Sequence, residues 1–301
     1  MQLIKPDINI DFVGKRKLAL IVSVVLIVIG LTSLLVKGPN YGIDFAGGTL
    51  VQVQFAQPTD ASAIKKALSG LELGSPVVQS FGDNQNEFLV RVEQASGELK
   101  GLSVQIQAAL EQTYGKGDID IRRVEMVGPQ VGKDLRNKGL KALFYAMLGL
   151  LVYISWRFEF RFAVGAIIAL VHDVLITLGA FSLSGREIDL PIIAAFLAII
   201  GYSLNDTIIV YDRIRENLGK HNKESFLFVV NRSINETLSR TLLTSGTTLL
   251  VILALFVLGG GVIHNFAFAM LIGVLIGTYS SIFVASPVLI FWQQKVAARS
   301  K

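Results

Sequence analysis

Asn205 and Asp206 stand together in a stretch that otherwise wants hydrocarbon. They lie in IIGYSLNDTIIVYDRIREN, residues 199–217, between Leu204 and the apolar run Ile208, Ile209 and Val210. An ionisable side chain at the centre of a membrane helix costs about 2.5–3.5 kcal/mol on insertion scales, so it needs a partner or a task. The chemistry open to a lone buried carboxylate is uptake and release of a proton. Burial disfavours its ionised form and a nearby cation favours it, so a small movement of that cation switches the group.

A cation is available. Asp206 precedes Asp212 by six residues, which sets it ~9 Å inside the membrane boundary at the helical rise. Arg240, in NETLSRTLLTSGTTLL, enters from the same side and reaches a similar depth, so an Asp206–Arg240 pair is expected. Thr244, Thr247 and Thr248 follow Arg240 at spacings of four, seven and eight and share a helical face with it, a hydroxyl stripe able to pass a proton with the help of water. Asp173, in LVHDVLITLG, lies eleven residues beyond Phe162, or ~16 Å deep, with Thr177 one turn further on the same face. Two plainer readings compete. Asp206 and Arg240 form a permanent structural ion pair, or Arg240 snorkels to the interface. His172 beside Asp173 has no second nearby ligand, which argues against a metal.

The elements that must position these residues are membrane helices. The chain has 301 residues, 52% hydrophobic and 17% charged, outside the balance of soluble domains. A bilayer core of about 30 Å needs about 20 apolar helical residues to cross it. Six stretches qualify: Leu18–Val36, Leu140–Trp156, Phe162–Leu183, Leu190–Tyr211, Thr241–Leu258 and Phe266–Trp292. The first follows Lys15, Arg16 and Lys17, is longer than a signal-peptide core and lacks a clean cleavage site, so it reads as a retained anchor. With no cysteine there is neither disulfide nor thiolate metal site.

Lysine and arginine set the orientation. Lys15–Lys17, Arg157, Arg161, Arg213, Arg215, Lys220, Lys223, Arg232, Lys295, Arg299 and Lys301 fall on one side, whereas the short opposite loops hold only Arg186. The positive-inside rule makes the basic side cytoplasmic and puts both termini there. Lys133, Arg136, Lys138 and Lys141 end a long translocated segment, where charge constrains orientation weakly. The net charge of +5 is thus a matter of topology and not of nucleic acid. YDRIRENLGKHNKE reads as a solvated connection facing lipid headgroups, and Gly259–Gly261 as a turn, since no GK[ST] follows.

Between the first two spans the pattern changes to that of a soluble unit. Thr49–Gln57 alternates as a strand, Thr59–Gly70 reads as a helix capped by Thr59, Val77–Phe81 and Glu87–Glu93 as strands, about Glu98–Tyr114 as a helix and Ile119–Val127 as a last strand. The order β-α-β-β-α-β predicts a ferredoxin-like α+β domain. It contains no nucleophile, paired carboxylate or histidine cluster, so binding or leverage is expected of it and not catalysis. The expected divisions are a cytoplasmic N-terminus with the first helix (1–37), an extracytoplasmic α+β domain (38–138), a five-helix membrane core (139–293) and a cytoplasmic tail (294–301).

Three motifs point to a family. YGIDFAGGT (41–49) after the first span, GYSLNDTIIVYDRIREN (201–217) in the fourth and Ser239-Arg240 at the start of the fifth resemble the SecF family of bacterial protein-export membrane proteins. The likeness extends over nearly the whole chain. It implies one half of a resistance-nodulation-division-like architecture in the inner membrane, paired with SecD beside the SecYEG channel, with YajC as a further associate. Such a half uses the proton-motive force to draw unfolded secreted polypeptides outward after the ATPase SecA has pushed them. It implies contacts with passenger polypeptide and membrane lipid, and no cofactor, metal, nucleic acid or enzyme activity. Residue by residue, it makes Asp206 the intramembrane carboxylate, Arg240 its basic partner and Asp173 a further polar site; Asn205, Thr244, Thr247 and Thr248 are read from their positions as supporting polar groups. Gly42, Asp44, Gly47 and Gly48 would form the bend from anchor to sheet. The rivals are half of a proton-driven small-molecule exporter, which shares the relay, and a scaffold that only stabilises the translocon.

Overall fold

The computed structural model describes residues 8–71, 76–81, 86–92, 99–220, 223–259 and 261–299. In chain order these form α1 (Arg16–Lys37), the short α2 (Ile43–Ala46), β1 (Gly48–Phe55), α3 (Ala61–Ala67), β2 (Val77–Ser80), β3 (Glu87–Val92), α4 (Leu99–Tyr114) and β4 (Ile119–Val127). Then follow α5 (Pro129–Arg157), α6 (Phe160–Ser184), α7 (Leu190–Lys220), α8 (Phe226–Leu258) and α9 (Gly261–Ser280), the last continued by a π-helical turn (Ser281–Ala285) into α10 (Ser286–Arg299). Six helical stretches, the last running from α9 into α10, are long and apolar enough to cross a membrane. Glu93, Glu98, His221, Asn222, Gly260 and Lys301, to which expectations were attached, lie outside the described residues.

The sheet is wholly antiparallel, in the order β2-β3-β1-β4, with Val51 opposite both Val90 and Val124. The alternation of apolar residues sends Val51, Val53, Val90 and Val92 to one face, where they bury against Ile64 and Leu68 of α3 and Ile106 and Leu110 of α4. The cap of α3 is Asp60, whose Oδ1 accepts from Ala63 N at 2.8 Å, and not the expected Thr59. Thr59 Oγ1 instead meets Tyr114 OH at 2.9 Å.

The helices differ from expectation chiefly at their polar ends. α5 starts at Pro129, well before Leu140, because Gly128 turns the chain and Pro129 suits the first helical turn. The stretch expected as a solvated connection is largely helix: α7 runs on to Lys220, and α8 starts at Phe226 with Ser225 Oγ accepting from Phe228 N at 3.3 Å. Pairs at i,i+4, Glu216–Lys220 and Arg232–Glu236, support both extensions. They pack together where Asn217 Nδ2 donates to Ser233 Oγ at 3.0 Å and to Glu236 Oε2 at 2.8 Å.

Two features tie α1 into the bundle. Its buried residues are Ala19, Ser23, Gly30 and Ser33, all small, so its backbone lies close against α6. A Cβ added at Gly30 would stand 2.9 Å from Gly179 Cα, and one added at Gly179 only 2.7 Å from Gly30 Cα. Ahead of α1, residues 10–13 lie along α8, held by two asparagines one turn apart. Asn235 Oδ1 accepts from Ile10 N at 2.8 Å, and Asn231 Oδ1 accepts from Phe12 N at 2.9 Å. Both amide groups donate back to Ile10 O, at 3.0 and 2.9 Å.

Candidate functional site

Asp206 is fully buried on α7, whose inward residues recur every three or four positions from Ile192 to Asn217. Its Oδ2 accepts from Ser245 Oγ of α8 at 3.1 Å, and Ser245 Oγ in turn meets Thr278 Oγ1 of α9 at 2.8 Å. Its Oδ1 has no hydrogen-bond partner among the described residues, nor has Thr241 Oγ1, one turn before Ser245 on α8. A buried polar atom without a partner is costly and uncommon in a folded chain.

Arg240 is not where a pair would need it. The structure brings Asp206 and Arg240 into one region but forms no ion pair between them. Arg240 is exposed at the basic end of the bundle, lining a crevice of about 650 Å³ with Asp212, Arg213 and Glu236. Of the hydroxyl stripe, Thr247 is exposed and Thr244 and Thr248 are half-buried. Thr244 and Thr247 donate to carbonyls of their own helix, and Thr248 does the same while accepting from Tyr202 OH at 3.3 Å. The inward face of α8 is Ser233, Thr237, Thr241 and Ser245, each four residues from the last. Asn205, next to Asp206, is exposed as well.

Asp173 sits in a second fully buried site. It is held by α6, α7 and α9 together, with Ser203 Oγ at 2.5 Å and Ser280 Oγ at 2.8 Å from Oδ2. Thr177 Oγ1 turns back to the Asp173 carbonyl at 2.8 Å. Ser203, Ser245, Thr278 and Ser280 were missed in the sequence because single hydroxyls in apolar helices carry no periodic signal.

At the opposite end of the bundle, the glycine-rich segment joins α1 to the start of α7. Ile188 N donates to Asn40 O at 2.7 Å, Gly42 N to Ile188 O at 2.9 Å and Leu190 N to Asp44 Oδ2 at 2.9 Å. Gly47 and Gly48 have φ of +75° and +110°, and a Cβ at Gly47 would stand 2.9 Å from Pro129 Cα, so this turn favours glycine. Gly42 lies in extended backbone. Arg91 of β3 donates to Tyr41 O and pairs with Glu187 at 3.4 Å, which docks the sheet on the same junction.

Burial, together with the carboxylates of Asp44 and Glu187, pushes Asp189 up to about 6, and burial also raises Glu187. A raised folded-state value favours the protonated folded form, so the Asp189 contribution is fully present below its ordinary value of 3.8 and is lost as pH rises through about 6. Amide exchange of residues 40–44 and 185–190 is therefore expected to slow as pH falls from about 7 to about 5, after correction for intrinsic exchange. In Asp189→Asn that extra protection should disappear; its persistence would rule out Asp189 as the cause.

The pattern described as "Protein export membrane protein SecD/SecF, C-terminal" matches residues 105–295, and that described as "SecD/SecF GG Motif" matches residues 32–59. A protein translocase subunit SecF from Magnetococcus marinus is 50% identical, over 100% of this chain and 98% of that protein. The crystal structure of SecDF, a translocon-associated membrane protein from Thermus thermophilus, superposes with a TM-score of 0.88 at 35% identity, over 97% of this chain and 40% of that one. A crystal structure of SecDF in a super-membrane-facing form gives 0.73 at 36% identity, over 100% of this chain and again 40% of the other. The chain thus spans less than half the length of these SecDF proteins.

Proposed function

The chain belongs to the SecF family of protein translocase subunits, and we propose from that premise that it is the SecF half of a SecD–SecF pair that couples proton flow to late steps of protein export. The observation carrying the coupling is Asp206, a buried carboxylate held by one hydroxyl bond with its other oxygen unpartnered. A group so loosely held can change charge without dismantling a network. One charge crossing the membrane potential releases about 2.3 kcal/mol per 100 mV, enough to bias packed helices between two arrangements. The chemistry is proton transfer alone.

The partner follows from what faces outward. Arg240, Asn205 and Thr247 are exposed in helices that cross the membrane, and intramembrane polar groups face protein or water and not lipid. SecD spans would cover this face and bring Arg240 toward Asp206 in one state of the cycle. SecYEG with YajC, the passenger polypeptide and lipid complete the surroundings. In this reading the basic end of the bundle is cytoplasmic with both termini, and the crevice beside Arg240 is the inner route for protons.

Residues 38–138 would then be an extracytoplasmic ferredoxin-like domain, a reading supported by strand order and by two helices on one face. Asp44 caps the start of α7, the helix that carries Asp206 further along, and so links this domain to that helix. Expressed alone, residues 45–132 are expected to fold as an α+β unit indifferent to chelators. An all-helical circular dichroism spectrum would refute that. The test of coupling is precursor translocation in membrane vesicles containing this chain, with SecD and with or without a proton gradient. A gradient effect that survives the loss of this chain would defeat the reading.

A further inference from the structure

The network around Asp173 can be followed proton by proton. His172 is buried beside it, with Nδ1 2.9 Å from Asp173 Oδ1 and Nε2 3.0 Å from Ser23 Oγ of α1. Ser23 Oγ lies 3.1 Å from Tyr279 OH, and Tyr279 OH lies 2.7 Å from the Ala19 carbonyl. A hydroxyl has one proton to donate and a carbonyl has none. Tyr279 therefore donates to Ala19 and accepts from Ser23. Ser23, its proton directed at Tyr279, accepts from His172, so Nε2 carries a hydrogen. The remaining contact, Nδ1 to Oδ1, needs one proton more. Whether that proton rides on nitrogen or on oxygen, the pair sums to zero charge. The other assignment, a bare Nε2 with an ionised Asp173, would leave Ser23 and Tyr279 facing each other with no proton between them and a net negative charge deep in the membrane.

We propose that His172 and Asp173 form a second proton-holding site, loaded at rest with one transferable proton and working with Asp206; this rests on the coupling reading above. The two sites share α9. Thr278 reaches Ser245 at the Asp206 site, while Ser280, two residues on, reaches Asp173. Ser203, three residues before Asp206 on α7, donates to Asp173, and the missing side chain of Gly277 is what admits it, since a Cβ there would lie 2.9 Å from Ser203 Cβ. The π-helical turn starts at Ser281, directly after these residues, and such turns inside helices recur at functional sites. Movement of α9 at that turn alters both carboxylates together. The groups bonded to the pair are Ser23 on α1, Thr177 on α6, Ser203 on α7 and Ser280 on α9, with the Tyr279 ring stacked on His172. Among the described residues no lysine, arginine or further carboxylate forms an ion pair with it.

The chain has three histidines, so His221→Gln with His264→Gln leaves His172 as the only source of imidazole nitrogen signals. In full-length protein of that kind in lipid bilayers at neutral pH, nitrogen NMR is expected to show Nε2 protonated, with Nδ1 sharing a proton. A bare Nε2 at rest would overturn the proposal, and this measurement leaves the network itself unaltered. In translocating vesicles, His172→Gln is expected to reduce the gradient-dependent component and flatten the pH profile of what remains, with assembly monitored by SecD co-purification. Asp206→Asn is run alongside. If Asp206→Asn abolishes the gradient effect while assembled His172→Gln keeps the unaltered pH profile, this inference falls and the coupling reading stands. If neither variant changes the gradient effect, both fall.

Discussion

Asp206→Asn is expected to reduce precursor secretion to the level seen without a proton gradient while leaving the yield of the SecD-associated complex unchanged. Asparagine keeps the volume and an acceptor for Ser245 but cannot titrate. Asp206→Glu, which titrates but is longer by one methylene in a packed site, should retain part of the drive. A purely structural bridge to Arg240 forecasts something different. Removing one partner of a buried pair costs about 3–5 kcal/mol, which would appear as lost assembly, and neutralising both would restore it. The single variants Asp206→Asn and Arg240→Met and their combination therefore separate the two. Recovery of gradient-driven secretion in the double variant would end the case for a relay at Asp206.

Gly30→Val and Gly179→Val are expected to lower the unfolding temperature in mild detergent and loosen α1 from α6. Each introduces a side chain where the neighbour is backbone, at 2.9 and 2.7 Å, and backbone does not move aside as a flexible side chain does. Overpacking costs about 1–3 kcal/mol; a contact of this kind belongs at the upper end. Gly149→Val is the control, since nothing lies within 4 Å of a Cβ built there. Equal unfolding temperatures for all three would mean that the close crossing of α1 and α6 is not what seats the first helix.

The parts legible in the sequence were those with a strong period or a strong solvent preference. Alternation in Thr49–Gln57 and Glu87–Glu93 gave the strands because one face must bury against α3 and α4. Hydropathy found the spans but not their ends: the Pro129–Leu140 turns and the polar halves of α7 and α8 are held by packing and ion pairs that no hydropathy average registers. At the site, Asp206 and Asp173 announced themselves as charges among aliphatic residues. Their hydroxyl partners did not, since Ser203, Ser245 and Ser280 gain meaning only once three helices converge. The stripe from Arg240 to Thr248 shares a helical face as its spacing predicts, but a helical period does not fix what that face meets.

The asparagine clasp on residues 10–13 also imposes an order in time. Ile10 and Asn235 are 225 positions apart, so the segment ahead of α1 is made well before the helix that secures it. At roughly 5–20 residues per second the N-terminal segment waits about 10–45 s for its anchorage to exist.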